Sequence, residues 1–569
     1  MLVNCLIWIY IFLTTYALGK AFLSVLGAGR DKALAGSLYR PEDISITGFM
    51  AAAVYAQIYS LFGGVGLSAN IILLAFTVIF FIYHFYLSRK NNSRELHFEK
   101  KMMVPVIFIT ASVLVFAYCA SRGYFHYDSD LYHGQAIHWI EDYGVVKGLG
   151  LLNGRTAYNS SAFAVQALYS FAFLGGMSYH SCAGFFALMV FFSGCRVVHI
   201  FRDKKIVLSD FARLSAIYYI GNIYDEISSP ASDYFTMLLF LYILIKVTEC
   251  IENRMSADHY AVPALLSFFD MTLKLSAAPL CMLTLIPVIM LIKEKRYKRI
   301  LVYGCIVMVI LLPYFIRNYI ISGWLLYPSV AIDIFNPEWK ITRESAIADS
   351  AYIVAFGRGF SSMDAADMPL SEWFPVWYAE LGRTWKIMLY MGLMGSFVWA
   401  FELIKGISMK KYRYEGFAAV NYTVLTVVVS FGFWFLSSPL VRYGQGYLIA
   451  LPAFTFGLII CRIFESGEKR KILRTAQNAL ILCIGLFLAY KALMLGRYMY
   501  KWGYEQYYIQ PQDYGYYETY PIEMGNCTIY APVYGDRAGY YAFPSVPENN
   551  NLPRPADPDA YDFSEGFRY

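Results

Sequence analysis

What most constrains this chain is a succession of roughly fourteen apolar stretches, most of them near the ~20 helical residues that cross a hydrocarbon core about 30 Å thick. They lie near 2–27, 45–62, 66–87, 102–120, 178–200, 213–223, 234–251, 259–273, 276–292, 300–321, 386–405, 417–436, 446–463 and 475–495. The run 213–223 is short, and 259–273 and 276–292 share a polar junction at Lys274. Backbone N–H and C=O groups find no water to bond in lipid, so runs of this kind must be helical. With 58% hydrophobic and 15% charged residues among 569, the chain reads as an all-α polytopic membrane protein. No repeat of the solenoid or propeller kind is present.

Charge sorts the loops. When the spans alternate, segments 88–101 (SRKNNSRELHFEKK), 202–213, 293–299 (KEKRYKR), 405–413 and 465–471 fall on one side, which the positive-inside rule makes cytoplasmic. The other side receives 121–177, 224–233, the junction at Lys274, the long loop 322–385, 437–445 and the tail 496–569. The apolar piece Ser161–Gly176 would reverse this sorting if it crossed. At about 14 apolar residues it is short, and it is expected to lie on the membrane surface within a large first outer loop. The N-terminal run lacks the basic start of a cleavable signal and is expected to stay as a span. Eight of the ten cysteines fall in or beside apolar runs, so neither a disulfide framework nor a zinc ribbon is expected. The tail, rich in Tyr, Pro and Gly, suggests one or two short strands with turns, folded as a small cap. Basic inner loops are topology signals and imply no nucleic acid.

The outer loops carry the chemistry. Tyr124 to Gly144, YFHYDSDLYHGQAIHWIEDYG, holds three histidines and four carboxylates in an otherwise apolar chain. Read as an α-helix, it places His126, Asp130 and His133 on one face and Asp128, Tyr132, Gln135 and Trp139 on another. A carboxylate held partly desolvated at the membrane boundary suits a general base, because burial raises its pKa toward working pH. Solvated loop charges with an interfacial Trp/Tyr belt are the plainer alternative. Elsewhere on this face, Asp225, Glu226 and Asp233 flank the helix-breaking Pro230, and Lys274 sits at a helix junction. Arg317 with Asn318, and Arg442 with Tyr443, lie at the ends of other spans. A single basic residue at a helix end commonly snorkels to lipid headgroups. Three cations and several carboxylates on one face instead suit a single anionic substrate, with Arg gripping phosphate through paired donors and Lys adding a point charge.

The same segments carry a family likeness. DSDLY in the first large outer loop, followed by an apolar helix and then by GGMSYHSCAGFFALMVFFSGCRVVHIFRDKK as the next span, resembles the GT-C superfamily of integral-membrane glycosyltransferases. KLSAAP and RNYIISGWLLYP are similar to segments of its bacterial members, and YDSDLYHGQAIHWIEDYGVVKGLGLLNGRTAYNSSAF resembles a group of poorly characterised bacterial membrane proteins related to it. The likeness covers roughly 120 to 460.

That resemblance implies a GT-C-like helical bundle: N-terminal transmembrane helices over 1–120, a catalytic transmembrane core with periplasmic loops over 121–495, and a periplasmic tail or cap over 496–569. It implies transfer of a hexosyl or pentosyl unit from a polyprenyl-phosphate donor to a glycan, lipid or protein acceptor. The reaction would take place on the outer face of a bacterial cytoplasmic membrane, among membrane lipids, in cell-envelope polysaccharide biosynthesis. The superfamily's base is an acidic residue of the first outer loop. Its counterpart is Asp128, four before Tyr132, with Asp130 the close second. Arg317, Arg442, Lys274 and His133 would bind the donor phosphate. His126, Tyr132, Gln135, Trp139, Arg155, Asp225, Glu226, Asp233, Asn318 and Tyr443 would contact the substrates.

No metal site is assigned. A divalent cation stays open because His126, Asp130 and His133 offer three ligands from one helical face, although hydrogen bonding is the commoner use of such histidines. The patterns GxxxxGK[ST], HExxH and GxSxG are absent. A polysaccharide polymerase or ligase is one alternative, and a lipid-linked glycan transporter or flippase another. A transporter of that kind should show two related halves with paired, interrupted helices, and no such symmetry is visible. A non-catalytic envelope scaffold is the third.

Overall fold

The computed structural model describes residues 1–27, 39–90, 103–122, 126–200, 205–408, 416–465, 470–502, 507–547 and 552–569. The chain is mostly helical. Helices α1 (Leu2–Leu26), α2 (Pro41–Tyr59), α3 (Leu67–Lys90) and α4 (Met103–Ser121) come first. A π-helical turn, Ser129–His133, leads into α5 (Gly134–Asp142), followed by α6 (Ser161–Leu168) and α7 (Cys182–Gly194). Next are α8 (Leu208–Ile223), α9 (Ser232–Glu252) and α10 (Ala257–Leu273); a 3-10 stretch, Leu275–Thr284, then runs into α11 (Leu285–Lys293), with α12 (Tyr297–Ser322) beyond it. The remainder comprises α13 (Arg343–Gly357), α14 (Leu370–Glu380), α15 (Arg383–Ser408), α16 (Phe417–Ser437), α17 (Val441–Glu465) and α18 (Arg470–Trp502).

Each of the apolar stretches marked out above contains a helix where described. Among the described residues, nine helices are long and apolar enough to cross a membrane. The 16 residues of α8 and the 17 of α10 fall short of that length. The central parts of four basic loops, at 91–102, 201–204, 409–415 and 466–469, lie outside the described residues, as does the start of the acidic segment at 123–125.

Helix α9 explains how the bundle is centred. Its sequence, YFTMLLFLYILI, is apolar on every face, the pattern of a helix surrounded by protein. Correspondingly, 94% of its apolar window is buried, between α7, α8, α10 and α17. Helices α1 and α2 touch backbone to backbone. A Cβ on Gly48 would stand 1.7 Å from the Thr15 carbonyl oxygen, and one on Gly19 would stand 1.9 Å from that of Ile44, so any larger residue forces the helices apart.

Ionisable groups collect at the two ends of this bundle. At one end α2 and α8 begin while α7 and α9 finish. There Arg196 meets Glu42 at 2.8 Å, and Glu249 takes Arg213 at 2.7 Å and Lys246 at 2.6 Å. Charges buried this deeply persist because each is paired, and removing one partner would strand the other. The acidic segment and the ends of α8 and α10 lie at the opposite end.

Two parts of the first loop and tail decide what surrounds that second end. The first half of the Ser161–Gly176 piece is enclosed by protein rather than lying on a surface: every residue of α6 is buried, packed against α2 and α5, whereas 174–176 are exposed. Its serines find protein partners, Ser160 Oγ donating to the Leu273 carbonyl at 2.8 Å and Ser161 Oγ bonding Thr272 Oγ1 at 2.9 Å, so the helix inserts. The tail forms an antiparallel hairpin of β1 (Thr519–Met524) and β2 (Cys527–Pro532), and β3 (Arg554–Pro555) pairs with β4 (Phe567–Arg568). Together with Trp139, Val146 and Trp324, the tail residues Ile529, Phe563 and Phe567 build a second apolar core, distinct from that of the bundle.

Candidate active site

Four elements converge on one guanidinium. Arg442 stands at the start of α17, where Nη2 donates to Asp128 Oδ2 at 2.7 Å and Nη1 donates to His126 Nδ1 at 3.3 Å. Its Nε lies 3.2 Å from Asp233 Oδ2, an ion-pair contact without hydrogen-bond alignment. The other oxygen of Asp233, at the start of α9, is taken by the Lys274 ammonium, which follows α10. Lys274 also sits over the Tyr443 ring, 3.3 Å from its centroid. Helix ends supply these groups because the apolar helix bodies between them exclude charge.

Hydrogen bonding fixes one tautomer. With Nδ1 of His126 accepting from Arg442, Nε2 carries the proton and donates to the Tyr234 hydroxyl, which in turn donates to Glu226 Oε2 at 2.7 Å. A relay therefore runs from Arg442 through His126 and Tyr234 to Glu226. Burial holds His126 down to about 4, aided by Arg442, and does the same to His133, so both rings are neutral near pH 7. Burial alone would raise the Asp128 carboxyl, but the His133 ring, charged only in the acidic range where the carboxyl itself titrates, and the Arg442 guanidinium bring it below the usual carboxylate value. Burial raises Glu226, and the Tyr234 bond only partly offsets this.

The π-helical turn explains why the predicted stripes do not form. The Gly134 N–H bonds the Ser129 carbonyl five residues back, so the turn holds more residues than an α-turn and its side chains spread around it. Asp128 faces Arg442. Asp130 faces the tail instead, accepting from Gly515 N and the Tyr517 hydroxyl, both at 2.9 Å. The face expected to join His126, Asp130 and His133 as metal ligands is thus divided. Among the described residues, no group of three His, Cys, Asp or Glu side chains is placed to hold a metal ion.

Other candidates serve the scaffold. The Gln135 amide donates to the carbonyls of Gly539 (2.8 Å) and Ala542 (3.0 Å) and accepts from Ser545 N (3.1 Å), clamping the cap to α5. Trp139 is buried in the cap core against Phe543, with centroids 5.0 Å apart. Both were expected at the substrate, but their side of α5 is covered by the tail. Arg317 is buried away from Arg442, bonded to Ser60 Oγ and to Asn159 Oδ1, and Asn318 donates to the Leu325 carbonyl at 2.8 Å. Tyr132 packs between His133 and Tyr158 beside Asp128. Asp225 is half-buried near Lys491, and Arg155 is half-buried within electrostatic reach of Tyr127.

The family described as Domain of unknown function (DUF8201) matches residues 1–449. The chain belongs to that family. No curated protein and no solved structure matches it. The part shared with the DUF8201 family contains Asp128, Glu226, Asp233, Lys274 and Arg442, whereas the cap lies beyond it. Sequence reading missed Tyr234, which joins His126 to Glu226, because the relay closes across the Pro230 break and no helical spacing relates its members. It also missed Tyr517 and Gly515, which answer Asp130 from the tail, 385 or more positions away.

Proposed function

We propose that this DUF8201 chain is a membrane glycosyltransferase of the GT-C kind. It moves a sugar from a polyprenyl-phosphate donor to a glycan, lipid or protein acceptor at the periplasmic face of a bacterial cytoplasmic membrane, with all fourteen apolar stretches packed in the membrane. The observation that carries this reading is the meeting of Asp128 with Arg442 and Lys274 at one end of an apolar bundle, brought from three distant segments. A carboxylate beside two cations at the end of membrane helices suits a phosphate on a lipid anchor and a hydroxyl to be activated.

In the reaction, Asp128 takes the proton of the acceptor hydroxyl as that oxygen bonds the anomeric carbon. The bond between that carbon and the phosphate oxygen breaks, and its electron pair departs with the polyprenyl phosphate. The added negative charge falls on Arg442 and Lys274. Asp233 holds both cations in place, and the His126–Tyr234–Glu226 relay orients the guanidinium.

The test is incubation of purified protein with polyprenyl-phosphate sugars and candidate acceptors. Asp128→Asn abolishes transfer and Asp130→Asn, which belongs to the cap contact, retains it. Equal turnover by the wild type and Asp128→Asn removes Asp128 from the chemistry. Transport of a lipid-linked glycan is a second reading, favoured by the ten-residue 3-10 stretch Leu275–Thr284 beside the buried Asp270. It predicts movement of the intact donor between leaflets with no release of polyprenyl phosphate.

A further inference from the structure

Each nitrogen of the Arg442 guanidinium faces a neighbour, and both Nη atoms are hydrogen-bonded. Nη1 bonds His126, Nη2 bonds Asp128 with the Tyr443 hydroxyl 3.4 Å away, and Nε faces Asp233. Guanidinium offers five N–H donors in a fixed fork, so a newcomer that grips it through Nη2 meets a carboxylate already in place. A phosphate on that edge competes with Asp128 for the same donor.

The partners differ in how readily they leave. Asp233 is 6% exposed and uses both oxygens, one on Arg442 and one on Lys274. His126 is buried and is held from its far side by Tyr234. Asp128 is 26% exposed, contributes a single oxygen to Arg442, and stands just before the π turn Ser129–His133, near the start of its helical run. Lys274 and Arg442 are themselves 25% and 23% exposed, so their open sides lie toward solvent while Asp233 closes the back.

We infer that Asp128 is a resident stand-in for the donor phosphate on Arg442, and that donor binding displaces it from the guanidinium. This rests on the glycosyltransferase reading and adds an order of events to it. While Asp128 holds Arg442, the carboxylate is a weak base and the phosphate position is occupied. Once phosphate takes Nη2, Asp128 keeps its partly desolvated surroundings and loses a cation that suppressed its basicity, so a competent base exists only when the donor is bound. The charges agree with one phosphate at a time: with Asp128 gone, Arg442 and Lys274 face Asp233, leaving about one positive charge to be matched.

Direct binding of decaprenyl phosphate to the full-length protein in nanodiscs tests this. Removing the stand-in should tighten binding, so Asp128→Asn and Asp128→Ala bind about tenfold or more tightly than wild type, even though neither transfers sugar. Asp233→Asn, which frees the cations from their anchor, binds more weakly. Asp270→Asn removes a buried carboxylate one turn before Lys274 that bonds neither cation and changes binding less than twofold. Wild-type binding that Asp128→Asn leaves unchanged or weakens overturns the displacement, as does equal tightening by Asp128→Asn and Asp270→Asn, which would indicate a general field effect. Absence of binding by every form, wild type included, overturns the phosphate reading itself and the displacement with it.

Discussion

Arg442 Nη2 stands 2.7 Å from Asp128 Oδ2, although 314 positions separate the two residues along the chain. The contact closes the first loop onto the start of α17, and it depends on a planar cation. Lysine at 442 would keep the charge but reach at most one of Asp128, Asp233 and His126. Arg442→Lys is therefore expected to fold and to lose transfer by at least about tenfold, and Arg442→Ala to lose stability as well, by about 2 kcal/mol, because two carboxylates are left facing each other. Turnover and thermal unfolding of the purified variants check both.

Asp130, two residues from Asp128, should behave oppositely. Its carboxylate accepts from Gly515 N and Tyr517, and its backbone carbonyl accepts from Gly539 N at 2.9 Å. Asp130→Ala leaves the backbone contact and removes the other two, costing cap docking about 1–3 kcal/mol. The expected outcome is faster cleavage within 507–547 in limited proteolysis, with the bundle intact.

Acidification should loosen the site, and the sign follows from burial. His126 and His133 titrate at about 4 in the folded protein against an ordinary 6.5, so opening the site to water lets each take up a proton. Their contribution is complete above pH 6.5 and is lost as pH falls from 6.5 toward 4. Asp128, also depressed, adds a loss of the same sign at still lower pH, below its unfolded value. Each histidine accounts for on the order of 2–3 kcal/mol across that window. Thermal unfolding measured from pH 7.5 to 4.5 should show the fall, and His133→Gln should flatten it; an unchanged slope in that variant would place the titration elsewhere.

How far the fold was legible depends on which forces set each part. Helices such as α9 and α12 follow from length and apolarity alone, since lipid and core alike demand internally bonded backbone. Arg442, Lys274 and Asp233 were visible as charges at helix ends, where ionisable groups must have a reason. Helical spacing failed at Asp128 and Asp130, because a π-turn between Ser129 and His133 re-aims side chains and leaves no mark in composition. Gln135 and Trp139 misled because a polar and an aromatic residue on a loop helix suit a substrate and a docked cap equally well. Ser161–Leu168 misled because apolarity does not separate a membrane surface from a protein interior, and its serine partners Thr272 and Leu273 are more than a hundred positions away.

Asp270 offers a contrast with Asp233 that separates structure from function. It lies near the end of α10, fully buried, and neither carboxylate oxygen has a hydrogen-bond partner among the described residues. Asp233, on α9, is buried as deeply but is bonded by Lys274 and faced by Arg442. Neutralising a paired carboxylate strands its cations, whereas neutralising an unpaired one removes a desolvation cost. Asp233→Asn is expected to lower stability by about 2 kcal/mol or more, and Asp270→Asn to leave it unchanged or raise it by up to about 1 kcal/mol. Thermal unfolding in one detergent checks the pair. Glycosyl transfer should survive Asp270→Asn, while loss of donor translocation in that variant, with its fold intact, would instead favour the transport reading for the segment that α10 shares with Leu275–Thr284.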